Sequence, residues 1–556
     1  MAQTDPNPPM VYMTKGAMGL VALFAVLILG LCFWHNINWD EFHFLSIPFD
    51  MARGQVEKPL QTFHAHLFSW LTHLPFSEIG MVIAGRIVAF GCLMGTLYFI
   101  YRIASIFAPK PYAILGGLAY VTSGFVIGHG ASFRADPFAA FLLMGALYLL
   151  FCHPLRARPL LVAGFAAALS VMITIKSLLF IPAFVGALIW RGTSRDAVLR
   201  IVLAGVAAVF MLLAMFLWHK SQLNIPSNIS GAEATQKVLK NASGRTIFGA
   251  GFLPAKPYLK VWLIYSIVPL LAALAALRAG TGAGREKWVL LTLCLPLGSV
   301  LFYGNAYPYF MPFITPPMMV AAAVGLRRLD GRRFALGGVT GLMALGGITQ
   351  AVLTSQETQS AQRQTIAAVH QLFTEPVPYI DRNGMITSFP KVGVFMSSWG
   401  MENYRKAGQP IFQKALEQET PLFLIDNTRY LQAALEGDAR IANCCGFFPK
   451  DAQTLRQNFL PFWGDIYVLG KRLQMAKGLH EVTIYHAGPY ILDSQTPVFI
   501  DGQRIEQGMQ VALSAGIHRV ETSHPHQMRL RWAGVVPDAL PPPPETEIYH
   551  LFWGIR

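Results

Sequence analysis

The sequence predicts a polytopic α-helical membrane protein with about eleven transmembrane helices, followed by a water-soluble C-terminal region of α/β and then β-sandwich character. Three observations predict it. Of 556 residues, 53% are hydrophobic and only 13% charged, about half the charged share of an ordinary soluble domain. Apolar runs long enough to cross a bilayer recur up to about residue 352 and then stop. The net charge of +14 is not spread evenly: residues 1–353 hold 26 basic and 11 acidic side chains, whereas 354–556 hold 18 and 19. Positive charge confined to the hydrophobic part reports topology and argues against a nucleic-acid footprint.

The expected spans are about 17–36, 79–101, 111–128, 136–152, 159–175, 177–190, 201–218, 259–277, 288–303, 308–326 and 335–352. With the N-terminus in the cytoplasm, 15 of the 26 basic residues of this region fall in inner loops, and every inner loop is basic. Fusing 159–190 into one helix would put the Arg191, Arg195 and Arg200 cluster on the wrong side, so a hairpin is expected around Lys176. The first run is long, and Trp34 and Trp39 mark an interfacial exit, so it reads as a span and not as a cleaved signal peptide.

Odd parity places residues 354–556 outside, which in a Gram-negative bacterium means a multi-pass inner-membrane protein with a periplasmic tail. Within it, 354–475 alternate short apolar strands (Val392–Phe395, Pro421–Ile425, Ile466–Leu469) with helix-like stretches, a small α/β unit. From Glu481 to Trp532, short alternating strands are separated by turns such as Asp501-Gly502, so 476–556 reads as a β-sandwich. The six cysteines make no disulfide framework. Cys32, Cys92, Cys152 and Cys294 fall at spans, and adjacent Cys444 and Cys445 read as two unpaired small residues sooner than as a vicinal disulfide.

The chemistry concentrates in the outer loops. The first, 37–78, reads Asn38-Trp39-Asp40-Glu41-Phe42-His43-Phe44, then Glu57-Lys58-Pro59, then His64, His66 and His73. Phe42, Leu45 and Phe49, then Phe63, Leu67, Trp70, Leu71 and Leu74, recur at helical spacing and suggest two amphipathic helices on the membrane surface. Asp40 and Glu41 follow directly on the first span, where desolvation would raise a carboxyl pKa and suit a general base acting on a sugar hydroxyl. The plain alternative is a charge pair with Arg53 or Lys58.

Ser132-Phe133-Arg134-Ala135-Asp136-Pro137 opens the fourth span, and an Arg and an Asp at a helix N-terminus can hold a phosphate, or simply pin the helix end. The outer loop 219–260 carries Lys220, Lys237, Lys240, Arg245, Lys256 and Lys260 against Glu233, a departure from the positive-inside pattern. It suits a loop closing over a lipid phosphate, or a merely solvated one. Tyr303-Gly-Asn-Ala-Tyr307-Pro308-Tyr309 runs into the tenth span, as substrate-bonding phenols or as an aromatic belt. His43, His64 and His66 with Asp40 could bind a divalent cation, but nothing in their spacing demands it, and no metal or other cofactor is expected.

Together, the acidic pair after the first span, the Glu-Lys-Pro further along that loop, the Arg-x-Asp at the fourth span and the late Tyr-Pro-Tyr resemble the GT-C-fold glycosyltransferases that use polyprenyl-phosphate sugars. The resemblance covers roughly residues 10–353 and is greatest to bacterial aminoarabinose–lipid A transferases and protein O-mannosyltransferase-like enzymes. It implies a donor sugar on a polyprenyl phosphate such as undecaprenyl phosphate, and an inverting transfer to an acceptor hydroxyl. By the same resemblance Asp40, with Glu41, is the catalytic or orienting carboxylate, Asp136 the second acidic position, Lys58 and Arg134 the donor-phosphate ligands. Glu57, His64, Tyr307 and Tyr309 then position substrate. The β-rich tail resembles a carbohydrate-binding sandwich, a departure that favours a glycan, glycolipid or protein acceptor outside the membrane. A transporter or flippase of a lipid-linked sugar is the competing reading. It expects internal repeats and mid-membrane polar groups, and this sequence shows no repeat.

Overall fold

The computed structural model describes residues 8–56, 58–224, 251–254, 256–278, 284–438, 441, 444–535 and 540–549. The N-terminal part is a helical bundle. It comprises α1 (Pro8–Trp34), α2 (Trp39–Ala52), α3 (His64–Phe68), α4 (Glu78–Ala104), α5 (Lys110–Val121), α6 (Val126–His129), α7 (Ala135–Cys152) and α8 (Ala157–Ile173). There follow α9 (Ile181–Arg191), α10 (Arg195–Ser221), α11 (Lys256–Arg278), α12 (Gly284–Cys294), α13 (Phe310–Ile314), α14 (Pro316–Leu326) and α15 (Arg333–Ser355).

Among the described residues, six helices are long and apolar enough to cross a membrane: Tyr12–Trp34 within α1, α4, α7, α10, α11 and α15. The other five expected spans are helical but shorter or broken, each for a local reason. Around 111–128 the chain turns at Phe125, whose φ is 70°. The hairpin at Lys176 enters α9 through a 3-10 turn, Ile175–Phe180. Pro296 converts the end of 288–303 to a 3-10 segment, and Pro316-Pro317 separate α13 from α14. The fifth, α8, has 17 residues.

Packing follows small residues. All eleven residues of α14 are buried, and it crosses α11 so closely that a Cβ on Gly325 would lie 1.8 Å from the Ala272 carbonyl oxygen. By contrast, α10 lies at the rim against α8, and only His219 of its 27 residues is buried.

In the tail, α16 (Ser360–Leu372) leads to the strands β1 (Tyr379–Ile380), β2 (Lys391–Val392), β3 (Phe423–Ile425), β4 (Phe459–Trp463) and β5 (Ile466–Met475). The helices α17 (Ser398–Ala407), α18 (Phe412–Gln418), α19 (Arg429–Glu436) and α20 (Pro449–Asn458) connect them. β6 (Gly478–Ile484), β7 (Gly488–Leu492), β8 (Val498–Ile500), β9 (Gln503–Ile505), β10 (Gln510–Leu513), β11 (Gly516–Thr522) and β12 (His526–Trp532) complete it.

One sheet runs β10-β7-β12-β5-β3-β1-β2, with β4 also on β5, and a second runs β6-β11-β8-β9. Long β5 belongs to both halves: it pairs with β3 over Ile466–Val468 and with β12 over Gly470–Met475. The first sheet is therefore continuous across the boundary expected at residue 475. Cys444 and Cys445 are joined by a disulfide, in place of the two unpaired residues expected.

The tail does not hang free of the bundle. Phe42 and Leu45 of α2 are fully buried in the same core as Tyr379 and Ile380 of β1. This corrects the expectation that α2 lies on the membrane surface: its apolar face is covered by protein. Phe42 and Tyr549 meet edge-on at 6.4 Å, and His43 stacks on Phe395 at 4.2 Å. Only part of the second stretch, Leu67 and Trp70, stays exposed.

Candidate active site

The site is built at the start of α2. Asn38 caps the helix by accepting from the Asp40 backbone at 3.0 Å, and Glu41 closes the capping box back onto Asn38 N. Successive helical residues point about 100° apart, so the two carboxylates face different surroundings.

Glu41 turns inward and is 1% exposed. Its oxygens accept from Arg86 Nε and Nη2, each at 2.7 Å, and from Phe133 N at 3.0 Å. Arg86 also donates to the carbonyls of His35 at 2.8 Å and Asn36 at 2.9 Å. One buried bidentate pair thus ties the end of α1, the start of α2, α4 and the approach to α7. Its carboxylate is thus held by Arg86 and the Phe133 backbone, a buried node that joins these elements.

Asp40 turns the other way, into the space between bundle and tail. Arg134, the extended residue before α7, is ion-paired to it. Arg134 also lies 3.5 Å from Asp136, and its guanidinium stacks 3.6 Å above the Tyr309 ring. Asp136 is 3% exposed and ion-paired to Lys176, whose ammonium is 5.5 Å from the centre of Tyr309 and 5.4 Å from that of Phe313. Two carboxylates and two cations therefore alternate, Asp40–Arg134–Asp136–Lys176, with both cations over the Tyr309 ring.

The acidic pair does not have the raised pKa expected from desolvation. Burial by itself pushes the Asp40 carboxyl up, but the Arg134 guanidinium outweighs it and holds the group below the ordinary carboxylate range. Glu41 behaves likewise under Arg86. A carboxylate so paired is ionised but weakly basic until its cation is drawn away.

The remaining expected residues separate. Tyr307 stands beside Tyr309, ring centres 5.8 Å apart, within electrostatic reach of Asp40 and Tyr430. Exposed Lys58 faces His43, which burial drives down to a pKa of about 4. His64 is not at the site: it is buried, stacked 3.5 Å on Phe44, with its Nε2 3.0 Å from the Phe44 carbonyl. His66 goes elsewhere again, 2.8 Å from His219. The three histidines considered for a cation thus diverge. Glu57 lies outside the described residues, as do Lys237, Lys240, Arg245 and Glu233 of the basic loop.

Sequence reasoning missed Lys176 and Arg86 as partners. The signals were present: Lys176 is a basic residue in the hairpin between two apolar runs, and Arg86 is an ionisable residue inside an apolar run.

The sequence matches no family model and no curated protein. Solved structures do match. ArnT from Cupriavidus metallidurans, bound to undecaprenyl phosphate, aligns over 76% of this chain and 95% of its own with a TM-score of 0.55 and 15% identity. Its apo form aligns over 75% and 95%, with a TM-score of 0.50 and 14% identity. The chain has the GT-C fold. A weaker likeness, to the oligosaccharyltransferase AglB of Archaeoglobus fulgidus, covers 91% of this chain and 94% of that one at a TM-score of 0.47 and 9% identity. In this GT-C chain, Asp40, Arg134, Asp136, Lys176 and Tyr309 converge from four segments at one end of the bundle, where the tail covers it.

Proposed function

We propose that this GT-C protein is a membrane glycosyltransferase that moves a sugar from a polyprenyl phosphate to an acceptor hydroxyl, with inversion, on the outer face of a bacterial inner membrane. The observation that carries the reading is the Asp40–Arg134 pair, a carboxylate and a phosphate-binding cation held together at the mouth of the bundle. The undecaprenyl phosphate bound to ArnT supports the donor class.

In this reading the donor phosphate competes for Arg134, with Lys176 and Lys58 as further cations. As Arg134 shifts toward the phosphate, Asp40 loses the cation that depresses its pKa and becomes the stronger base. The acceptor oxygen attacks the anomeric carbon, the bond from that carbon to the phosphate oxygen breaks, and polyprenyl phosphate departs. The acceptor proton passes to Asp40. Asp136 holds Arg134 and Lys176 in register throughout, and Tyr309 supports the guanidinium from below. Residues 1–353 would form the catalytic unit, and the tail would hold a glycan, glycolipid or protein acceptor.

The test is a transfer assay with the full chain in nanodiscs and radiolabelled undecaprenyl-phosphate sugars. Asp40→Asn is expected to lower turnover by about 10²–10⁴-fold, the usual contribution of a general base. Full activity in that variant, or no turnover of any such donor by the native chain, overturns the reading.

A further inference from the structure

The membrane-side charges of the site balance: Asp40 and Asp136 are offset by Arg134 and Lys176. The facing wall, supplied by the tail, does not balance. Arg382 reaches across from the end of β1 and stacks its guanidinium 3.8 Å over Trp39, the residue before Asp40. It lies within electrostatic reach of Asp40, Arg429 and Tyr430. Among the described residues no carboxylate pairs with Arg382 or Arg429, and the buried Nε of Arg382 meets no acceptor. Exposed Arg429, within electrostatic reach of Arg382, adds a second positive charge to this wall.

The placement of Arg382 is built. Asp381, fully buried, accepts from the backbone of Asn383 at 3.0 Å and of Gly384 and Met385 at 2.7 Å each. Asn427 accepts from Arg382 N at 2.9 Å. Asn383 donates to the Trp39 carbonyl and accepts from the Tyr549 hydroxyl at 3.1 Å, which docks the turn onto the start of α2. So rigid a turn presents an unpaired guanidinium to the space beside Asp40, ready to make charge-assisted bonds to an oxyanion without loss of side-chain freedom.

We propose that Arg382, with Arg429 beside it, forms an oxyanion subsite of the tail that holds a phosphate or carboxylate of the bound substrate next to Asp40. The proposal rests on the glycosyltransferase reading and deepens it: the tail contributes a specificity-determining residue to the site and does not merely cover it. The anion is either the donor's phosphate or an acidic group carried by the acceptor.

Calorimetric titration of the full chain in phosphatidylcholine nanodiscs separates these sources, using undecaprenyl phosphate in one arm and inorganic phosphate in the other. Arg382→Gln is expected to weaken at least one titration by about tenfold or more, as loss of a charge-assisted bond does. Arg382→Lys should restore part of the affinity, and the melting temperature should stay unchanged, which a purely structural arginine would not allow. Weakening with undecaprenyl phosphate assigns the donor's phosphate, and weakening confined to inorganic phosphate assigns an acidic acceptor. If Arg382→Gln misfolds, exposed Arg429→Gln carries the test through the same titrations. Unchanged affinity in both arms overturns the subsite. The two readings fail separately. Normal transfer with unchanged titrations removes the subsite alone, whereas a native chain that turns over no polyprenyl-phosphate sugar removes the glycosyltransferase reading.

Discussion

Asp40 of α2 and Arg134 before α7 form an ion pair across 94 positions of sequence. The pair keeps an otherwise desolvated carboxylate ionised, and the same guanidinium rests on the Tyr309 ring.

A depressed folded pKa keeps Asp40 ionised as pH falls through the ordinary carboxylate range, and protonation comes only below it. Removing Arg134 leaves burial unopposed, and burial raises the pKa. The acid limb of the turnover profile of Arg134→Gln should therefore move up by about one unit or more. A limb that stays in place would show that Asp40 is not the titrating base.

Lys176→Met should lower turnover by about 10²-fold, in the range seen when one charge-stabilising donor is lost. Asp136 would then draw Arg134 toward itself and away from Asp40. Single-turnover assays with undecaprenyl-phosphate sugar read the chemical step directly.

The Glu41–Arg86 node predicts non-additive stability. Arg86→Met leaves a buried carboxylate unpaired and should cost about 3–5 kcal/mol, whereas Glu41→Leu with Arg86→Met should cost less than the single change. Thermal unfolding of the detergent-solubilised chain measures both.

His370 of α16 ties the tail to the bundle by donating from Nε2 to the Glu78 carboxylate at 3.0 Å, and Glu78 also accepts from Ser388 at 2.5 Å. That bond raises the His370 pKa above its usual value of 6.5, with burial opposing. The contribution is complete below the unfolded pKa and is lost as pH rises through the folded one. The melting temperature of the native chain should fall over that upper window relative to His370→Gln, which should show no such step.

Gly325→Leu should disrupt the bundle, since its first added atom already meets the Ala272 carbonyl oxygen at 1.8 Å. Loss of a monodisperse peak in size-exclusion chromatography is the expected result. Normal behaviour would mean that α11 and α14 can separate freely.

Much of the fold was legible because hydrophobic periodicity and loop charge are local signals. Each of the eleven apolar runs is helical, and Arg134, Asp136 and Tyr309, read from separate loops, meet at one end of the bundle. The interruption at Phe125 was not legible as a break, because an apolar run reads alike whether it is straight or kinked. Nor was the surface-helix reading of α2 correctable from sequence: an amphipathic face looks the same against lipid as against a protein core.

The sequence by itself determined which residues carry charge near one end of the bundle, since ionisable groups are expelled from apolar spans to their ends. Only the tertiary structure decided how those charges pair. Asp40 and Glu41 are neighbours in the chain, yet one faces Arg134 at the open site and the other is sealed by Arg86. Helical rotation separates adjacent side chains by about 100°, and the partners awaiting each come from helices far away in sequence. That is why an acidic pair read as one feature is two carboxylates with different partners, one held by Arg134 and one by Arg86.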